Sequence, residues 1–120
     1  MRKILVIEDN ELNMKFIREV LRRRGYTIIE AYDGADGVTL AEQALPDLIL
    51  MDINMPHMGG IAALKKIKQI APLENTPVIA LTAYAMEGDR EKFIREGFDD
   101  YIAKPISIGI LMEAIERIFK

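Results

Sequence analysis

Residues 48–60 read LILMDINMPHMGG. Four apolar residues run directly into Asp52, and turn-forming residues bound the stretch on both sides. A short, continuous apolar run of this kind indicates a β-strand that is buried on both faces. Asp52 would then emerge at the carboxyl end of a strand, where open parallel sheets bind their ligands. Taken alone, an aspartate in this position more often starts a turn, so the rest of the chain must decide.

The composition is that of one globular domain. The chain has 120 residues, of which 50% are hydrophobic and 29% charged, and its net charge is −3. Lys and Arg are scattered, so no basic stripe predicts nucleic-acid binding. The absence of cysteine excludes disulfides and thiolate metal sites. The apolar run near the N-terminus is too short for a signal peptide or a membrane span. We therefore expect a soluble, cytoplasmic protein that binds neither membrane nor nucleic acid.

Apolar runs and helical stripes alternate along the chain. Strand-like runs lie at residues 4–7, 26–32, 48–51, 78–81 and 101–103, and a segment with helical spacing follows each of them. Five strand–helix repeats predict an α/β fold with a parallel sheet that right-handed crossovers cover on both faces. Residues 72–77 are predicted to form a loop.

The first and last helices have capping residues and clear apolar faces. Asn10 and Ser107 suit N-caps, and Gly25 suits a C-terminal stop. The predicted core faces are Leu12, Phe16, Ile17, Val20 and Leu21 in the first helix, and Leu111, Met112, Ile115, Ile118 and Phe119 in the last.

The fourth helix is different. In residues 88–97, GDREKFIREG, only Phe93 and Ile94 could anchor it to a core. A helix with so little apolar surface is predicted to be weakly held and to shift at low cost.

Polar residues follow four of the five predicted strands. Glu8 and Asp9 come after the first, Asp52 after the third, Thr82 after the fourth and Lys104 after the fifth. In a parallel sheet these strand ends share one edge, so the side chains would converge on one crevice. Clustered carboxylates repel each other unless positive charge lies between them, and Mg²⁺ prefers a few carboxylates plus water. Separate caps and salt bridges without a metal are the weaker explanation.

Such a crevice suits phosphoryl chemistry. A metal held by Asp9 and Asp52 leaves positions for phosphoryl oxygens, which Thr82 and Lys104 could also meet. Asp52 could be both ligand and nucleophile, as carboxylates are when they form acyl phosphates. His57, the only histidine, is predicted to be an exposed loop residue. Without a suitable base in the set, a hydrolase that depends on strong base catalysis is disfavoured.

This set of residues, with Tyr101 and Pro105, resembles the receiver domain of two-component response regulators over essentially the whole chain. The stretches EDNELNMK, TAYAMEGD and YIAKPIS are most similar to single-domain DivK-type regulators and to receivers attached to hybrid kinases. The resemblance implies a flavodoxin-like (βα)5 three-layer sandwich. It also implies the strand order 2-1-3-4-5, which the chemotaxis member of this family has.

The resemblance further implies the roles of the acidic residues. Asp52 would accept a phosphoryl group from a phosphohistidine. Asp9, Asp52 and the backbone carbonyl of Asn54 would bind Mg²⁺, with Mn²⁺ or Ca²⁺ able to substitute, and Glu8 would position metal-bound water. Asn54 and Tyr84 would tune the lifetime of the phosphate.

The remaining residues would form the switch. Lys104 would pair with the phosphoryl group, and its bond to Pro105 is expected to be cis. Thr82 would bond a phosphoryl oxygen and move toward it, which makes room for Tyr101 to turn inward.

The expected function is a stand-alone switch rather than an enzyme, with only self-catalysed phosphorylation and slow autodephosphorylation. Residues 1–120 would be one receiver without an effector domain, a monomer or weak dimer. It would be phosphorylated by a sensor histidine kinase or histidine phosphotransfer protein. Its output would be a downstream protein bound at the face of the fourth helix, fifth strand and fifth helix.

Three alternatives remain. The chain could relay phosphoryl groups to a histidine phosphotransfer protein, or be a receiver excised from a hybrid kinase. It could also be a small Mg²⁺-dependent phosphatase, although no substrate pocket is evident. A flavin or nucleotide carrier is disfavoured because the turn after the first strand is acidic rather than glycine-rich.

Overall fold

The computed structural model describes residues 2–83 and 89–120. Its sheet has five parallel strands in the order β2-β1-β3-β4-β5, as the sequence resemblance implied. The strands are β1 (Lys3–Ile7), β2 (Thr27–Ala31), β3 (Leu48–Asp52), β4 (Val78–Thr82) and β5 (Asp100–Ala103). Every residue of β3 and β4 is buried, which explains their continuous apolar sequences.

Five helices cover the two faces of the sheet. They are α1 (Glu11–Arg23), α2 (Gly34–Ala44), α3 (Gly60–Lys68), α4 (Asp89–Glu96) and α5 (Ile108–Phe119). The side chains of Asn10 and Ser107 accept hydrogen bonds from the N–H groups of Asn13 and Ile110, so both predicted N-caps are present. Gly25 follows α1 with a φ of 89°, the left-handed conformation that glycine permits.

Alternate residues of each strand point to opposite faces and build two cores. In β1, Ile4 and Val6 pack with α1 and α5, whereas Leu5 and Ile7 pack with α2 and α3. The molecule is therefore a three-layer sandwich with the sheet in the middle and helices on both of its faces.

One packing prediction was wrong, and another was met only in part. Leu12 is 77% exposed, and Met14 is buried instead, because Leu12 is two residues before Met14 and so lies on the opposite side of α1. Ile118 and Phe119 are partly buried and pack against the core that α1 and α5 form with the sheet.

Two further differences concern the segments around β4. Ile94 is exposed, so Phe93 is the single buried residue of α4. Residues 71–73 form a short 3-10 turn, and Leu73 on that turn is buried. The predicted loop at residues 72–77 therefore begins with an ordered turn that adds to the core.

Gly60 fixes the distance between the end of β3 and α3. A Cβ atom at this position would lie 2.7 Å from the backbone oxygen of Asp52 and 2.8 Å from Cα of Ile53. Backbone atoms cannot give way as the end of a side chain can. Gly60 therefore lets α3 begin directly against the residue on which the candidate site depends.

We expect Gly60→Ala to lower the free energy of unfolding by about 1–3 kcal/mol, because the added methyl group overpacks a backbone contact. Gly109→Ala is the matched control, since a Cβ at Gly109 meets nothing within 4 Å. It should raise stability by about 0.5 kcal/mol through the better helix propensity of alanine. Urea unfolding of both variants measures this, and equal effects would contradict the role assigned to Gly60.

Candidate functional site

Four strand ends place polar side chains around one depression in the sheet edge. Glu8 and Asp9 follow β1, Asp52 ends β3, Thr82 ends β4 and Lys104 follows β5. The register of the parallel pairs brings these ends level, because Ile7 pairs with Met51 and Asp52 with Leu81. The convergence predicted from the sequence is present.

The acidic side chains lie close enough to share a cation. One carboxylate oxygen each from Glu8, Asp9 and Asp52 lies within 4.8 Å of the others. Glu8 is 0% and Asp52 2% exposed, whereas Asp9 is open to solvent. Two carboxylates are therefore buried, and the third lies at the mouth of the depression.

Lys104 lies between the two buried carboxylates. Its Nζ atom is 2.9 Å from Oε1 of Glu8 and 3.3 Å from Oδ2 of Asp52. Sequence reasoning gave Lys104 a phosphoryl partner and did not foresee these ion pairs, because Glu8 and Lys104 are far apart in the chain. The ammonium group compensates charges that would otherwise be costly to bury.

Backbone N–H groups bind the other oxygen of each carboxylate. The N–H of Asn10 donates to Oε2 of Glu8 at 3.0 Å, and the N–H of Asn54 donates to Oδ1 of Asp52 at 3.1 Å. No donor in residues 2–83 and 89–120 is well aligned with Oε1 of Glu8, which lies 2.9 Å from the ammonium nitrogen of Lys104. The pair is therefore held in position but incompletely compensated.

This environment shifts the protonation of Asp52. Burial and the neighbouring charge of Glu8 raise the pKa of Asp52 to about 7, against the opposing effects of the Asn54 N–H and Lys104. For Lys104, burial lowers the pKa, but its contacts with Glu8 and Asp52 outweigh this and raise it above the usual value. The site thus has less positive than negative charge.

The donor set fits Mg²⁺. Three carboxylates face one ammonium group, and oxygen ligands with an open, solvated side are what Mg²⁺ prefers. The role of the Asn54 backbone carbonyl as a Mg²⁺ ligand remains a prediction. Tyr84, which together with Asn54 is predicted to tune the lifetime of the phosphate, lies outside the described residues.

The proposed switch residues adjoin the site. Thr82 is buried at the end of β4, and its carbonyl accepts the N–H of Lys104 at 2.8 Å. Tyr101 is half-buried in β5, and its ring centre lies 5.7 Å from that of Phe93 in α4. The Lys104–Pro105 peptide bond is cis, the conformation that the resemblance implied. His57 is exposed, with a φ of 68°, and lies in a loop as expected.

Sequence reasoning missed the charged groups around β5. Asp100, which it did not single out, is buried and binds Arg90 of α4 and Arg117 of α5. The only local signal was the four-residue spacing of Glu113 and Arg117, which form an ion pair. Nothing in the sequence indicated that Asp100 would lie between two helices.

Comparison with known proteins gives the same assignment. The family described as response regulator receiver domain matches residues 4–116. The chain belongs to this receiver family. The polar-differentiation response regulator DivK of Brucella anthropi is 42% identical over 115 residues, which cover 96% of this chain and 94% of that protein. The expected similarity to DivK-type regulators is thus confirmed.

Two solved structures share the receiver fold. Chemotaxis protein CheY4 of Vibrio cholerae has a TM-score of 0.92 at 25% identity, with 98% of both chains covered. The receiver domain of the sensor histidine kinase PA1611 of Pseudomonas aeruginosa has a TM-score of 0.89 at 38% identity, with 99% of this chain and 98% of that chain covered. That structure has a magnesium ion coordinated in its active-site cleft.

This receiver is therefore a component of two-component signalling. Receivers of this kind are signalling proteins rather than classical enzymes, and they interact with histidine kinases and with downstream proteins. Among the described residues, no helix is both long and apolar enough to cross a membrane.

The raised pKa of Asp52 predicts how stability depends on pH without metal. Because the pKa of Asp52 is about 7 in the folded state and 3.8 in the unfolded chain, the folded protein keeps a proton on Asp52 that the unfolded chain loses. The stability that this gives is complete below pH 3.8 and is lost as the pH rises to 7. Asp52→Asn cannot ionise and escapes this loss. In EDTA, the difference in the free energy of unfolding between Asp52→Asn and the wild type should grow by up to about 4 kcal/mol between these pH values in favour of the variant. Above pH 7 this difference should stay constant.

Urea unfolding at several pH values in EDTA measures the difference. Asp36→Asn, which removes an exposed carboxylate from α2, controls for the loss of one negative charge and should show no widening. A difference for Asp52→Asn that stays constant with pH would contradict the assigned cause. Adding Mg²⁺ should narrow the gap by stabilising the wild type alone.

Proposed function

We propose that this receiver is a phosphorylation-dependent switch that accepts a phosphoryl group on Asp52. The observation that carries the proposal is the surroundings of that carboxylate. Asp52 is 2% exposed, lies at the open edge of the sheet, and has an ammonium group at 3.3 Å and two further carboxylates beside it. A nucleophile, a cation for the incoming phosphoryl group and a set of metal ligands are therefore in one place.

Each residue of the site has a separate role in phosphoryl transfer. A carboxylate oxygen of Asp52 attacks the phosphorus of a phosphohistidine on the partner kinase. A P–O bond forms as the P–N bond breaks, and the imidazole leaves with the bonding electrons and takes up a proton. The Asn54 N–H, 3.1 Å from Oδ1, orients the carboxylate. Lys104 gives up part of its pairing with Asp52 and pairs with a phosphoryl oxygen.

Glu8, Asp9, Asp52 and the backbone carbonyl of Asn54 would hold Mg²⁺ and its water. The ion supplies positive charge that offsets the phosphoryl oxygens. Glu8 supports this arrangement because the Asn10 N–H fixes one oxygen of its buried carboxylate, whereas the other oxygen has no well-directed hydrogen bond within the described part of the chain.

The output of the switch would be a change in the face formed by α4, β5 and α5. Thr82 moves toward the phosphoryl group, and Tyr101 turns into the space that it leaves. Tyr101 is half-buried and packs on Phe93, the single buried residue of α4. A small motion at Thr82 can therefore reach a weakly held helix, and a downstream protein would recognise the result.

Acetyl phosphate provides the direct test of the acceptor. Incubation with acetyl phosphate and Mg²⁺ should add one phosphoryl group by intact mass, and chelation should abolish it. Asp52→Ala should lose the adduct, whereas Asp36→Asn, which removes an exposed aspartate, should keep it. An adduct that survives in Asp52→Ala would show that another residue is the acceptor.

Beryllofluoride provides the test of the switch. With Mg²⁺ it should shift the amide signals of Thr82 and of residues 93–106, because a tetrahedral phosphoryl mimic on Asp52 draws Thr82 toward it. Thr82→Ala should still bind the mimic, as the signals of Asp52 and Asn54 report, but should lose the shifts in residues 93–106. Thr39→Ala, on the exposed face of α2, is the control. If residues 93–106 shift equally in Thr82→Ala, the switch does not run through Thr82.

A further inference from the structure

Asp100 binds two helices and the backbone of its own strand. Oδ1 accepts hydrogen bonds from Nη1 of Arg90 at 3.1 Å and from the N–H of Tyr101 at 2.8 Å. Oδ2 accepts one from Nη1 of Arg117 at 2.6 Å. Arg90 belongs to α4 and Arg117 to α5, so one carboxylate joins α4, β5 and α5.

The three side chains differ in their exposed fractions, and the difference shows which charge depends on the ion pairs. The side chain of Asp100 is 8% exposed, whereas those of Arg90 and Arg117 are 57% and 51% exposed. A buried carboxylate is costly unless it is paired and hydrogen-bonded. Water could solvate the two arginines in other positions, whereas the buried carboxylate of Asp100 is stabilised by pairing with them. The ion pairs therefore favour conformations in which both arginines lie over β5.

Arg90 is poorly placed for the stability of α4 itself. It lies in the first turn, where the helix dipole disfavours a positive charge. The helix buries only Phe93, so the ion pair with Asp100 is a second attachment between α4 and β5. Its position is explained by that attachment rather than by helix formation.

Both contacts between α4 and β5, the packing of Phe93 and the ion pair of Arg90, involve Tyr101 or a group bound to it. Its ring packs on Phe93 at 5.7 Å, and its N–H binds the carboxylate that holds Arg90. An inward turn of the Tyr101 ring removes its packing on Phe93, and a motion of α4 displaces Arg90 from Asp100. The resting arrangement therefore includes an ion-pair clasp, formed by Asp100, Arg90 and Arg117.

We propose that Asp100 is a positioning residue of the switch, whose clasp with Arg90 and Arg117 holds α4 and Tyr101 in the resting arrangement. This rests on the proposed function, since it deepens the switch described above. Weakening the clasp raises the fraction of free protein that has already switched. A ligand that favours the switched state then binds more tightly, in proportion to that fraction.

The test compares single-charge variants in a beryllofluoride titration with Mg²⁺, followed by amide signals. Arg90→Gln and Arg117→Gln each remove one arm of the clasp and leave Asp100 in place. The matched controls are Arg95→Gln, an exposed arginine on α4 without an ion pair among the described residues, and Glu113→Gln, which removes the other partner of Arg117. The signals of Asp52 and Asn54 report occupancy, and those of residues 93–101 report the switch.

Arg90→Gln and Arg117→Gln should lower the half-saturating beryllofluoride concentration by about threefold to tenfold. In the free protein, their signals at Tyr101 should already lie part of the way toward the bound positions. A purely structural role would lower the melting temperature without moving these signals along that line. Arg90→Lys should have a half-saturating beryllofluoride concentration close to that of the wild type, because lysine can still pair with Asp100.

The outcomes separate the two proposals. Unchanged affinity in both glutamine variants, or an equal gain in Arg95→Gln, would overturn the clasp while the switch stands. No occupancy of Asp52 in the wild type would overturn the proposed function, and the clasp with it. Asp100→Asn should show the largest gain if it folds, but the conclusion depends on the exposed arginines, whose variants keep the buried carboxylate.

Discussion

The contact on which the site depends is the ammonium group of Lys104 between the buried carboxylates of Glu8 and Asp52, at 2.9 and 3.3 Å. These three residues come from the ends of three different strands, so the contact exists only when β1, β3 and β5 are in register. One positive charge cannot fully offset two buried negative charges and Asp9 beside them. The fold therefore holds a site that is short of positive charge, and this shortage is what a metal ion or a change of protonation at Asp52 can relieve.

A second pattern appears at the two edges of the sheet. The edge strand β2 carries Glu30, which pairs with Arg18 and Arg22 of α1. The edge strand β5 carries Asp100, which pairs with Arg90 and Arg117. Edge strands with unpaired backbone groups invite unwanted pairing, and charged side chains are a common protection. The two edges differ in one respect, since both arginines at β2 come from one helix. At β5 they come from two, and one of those helices has a single buried residue.

Most of the fold could be predicted from the sequence, because its signals are local. Alternating apolar runs, the N-caps at Asn10 and Ser107 and the stop at Gly25 each depend on a few neighbouring residues. The errors concern which side of a helix a residue occupies. Leu12 was placed on the core face of α1 but lies on the opposite side of the helix from buried Met14 and is exposed, while Ile94 shares the apolar character of Phe93 but faces solvent. An apolar side chain near a helical stripe does not by itself show which side of the helix is covered; packing against the sheet decides it.

The sequence by itself determined the order of strands and helices and the polar residues at the strand ends, and through them the family and the acidic site. The physical reason is that in a parallel sheet the carboxyl ends of all strands lie at one edge, so a residue that directly follows a strand is known to lie at that edge. Only the tertiary structure decided which charges pair. Lys104 meets Glu8 across 96 positions of the chain, and Asp100 meets Arg90 and Arg117 from two helices. Ion pairs form between groups that packing brings within a few ångströms, and no local pattern encodes that distance.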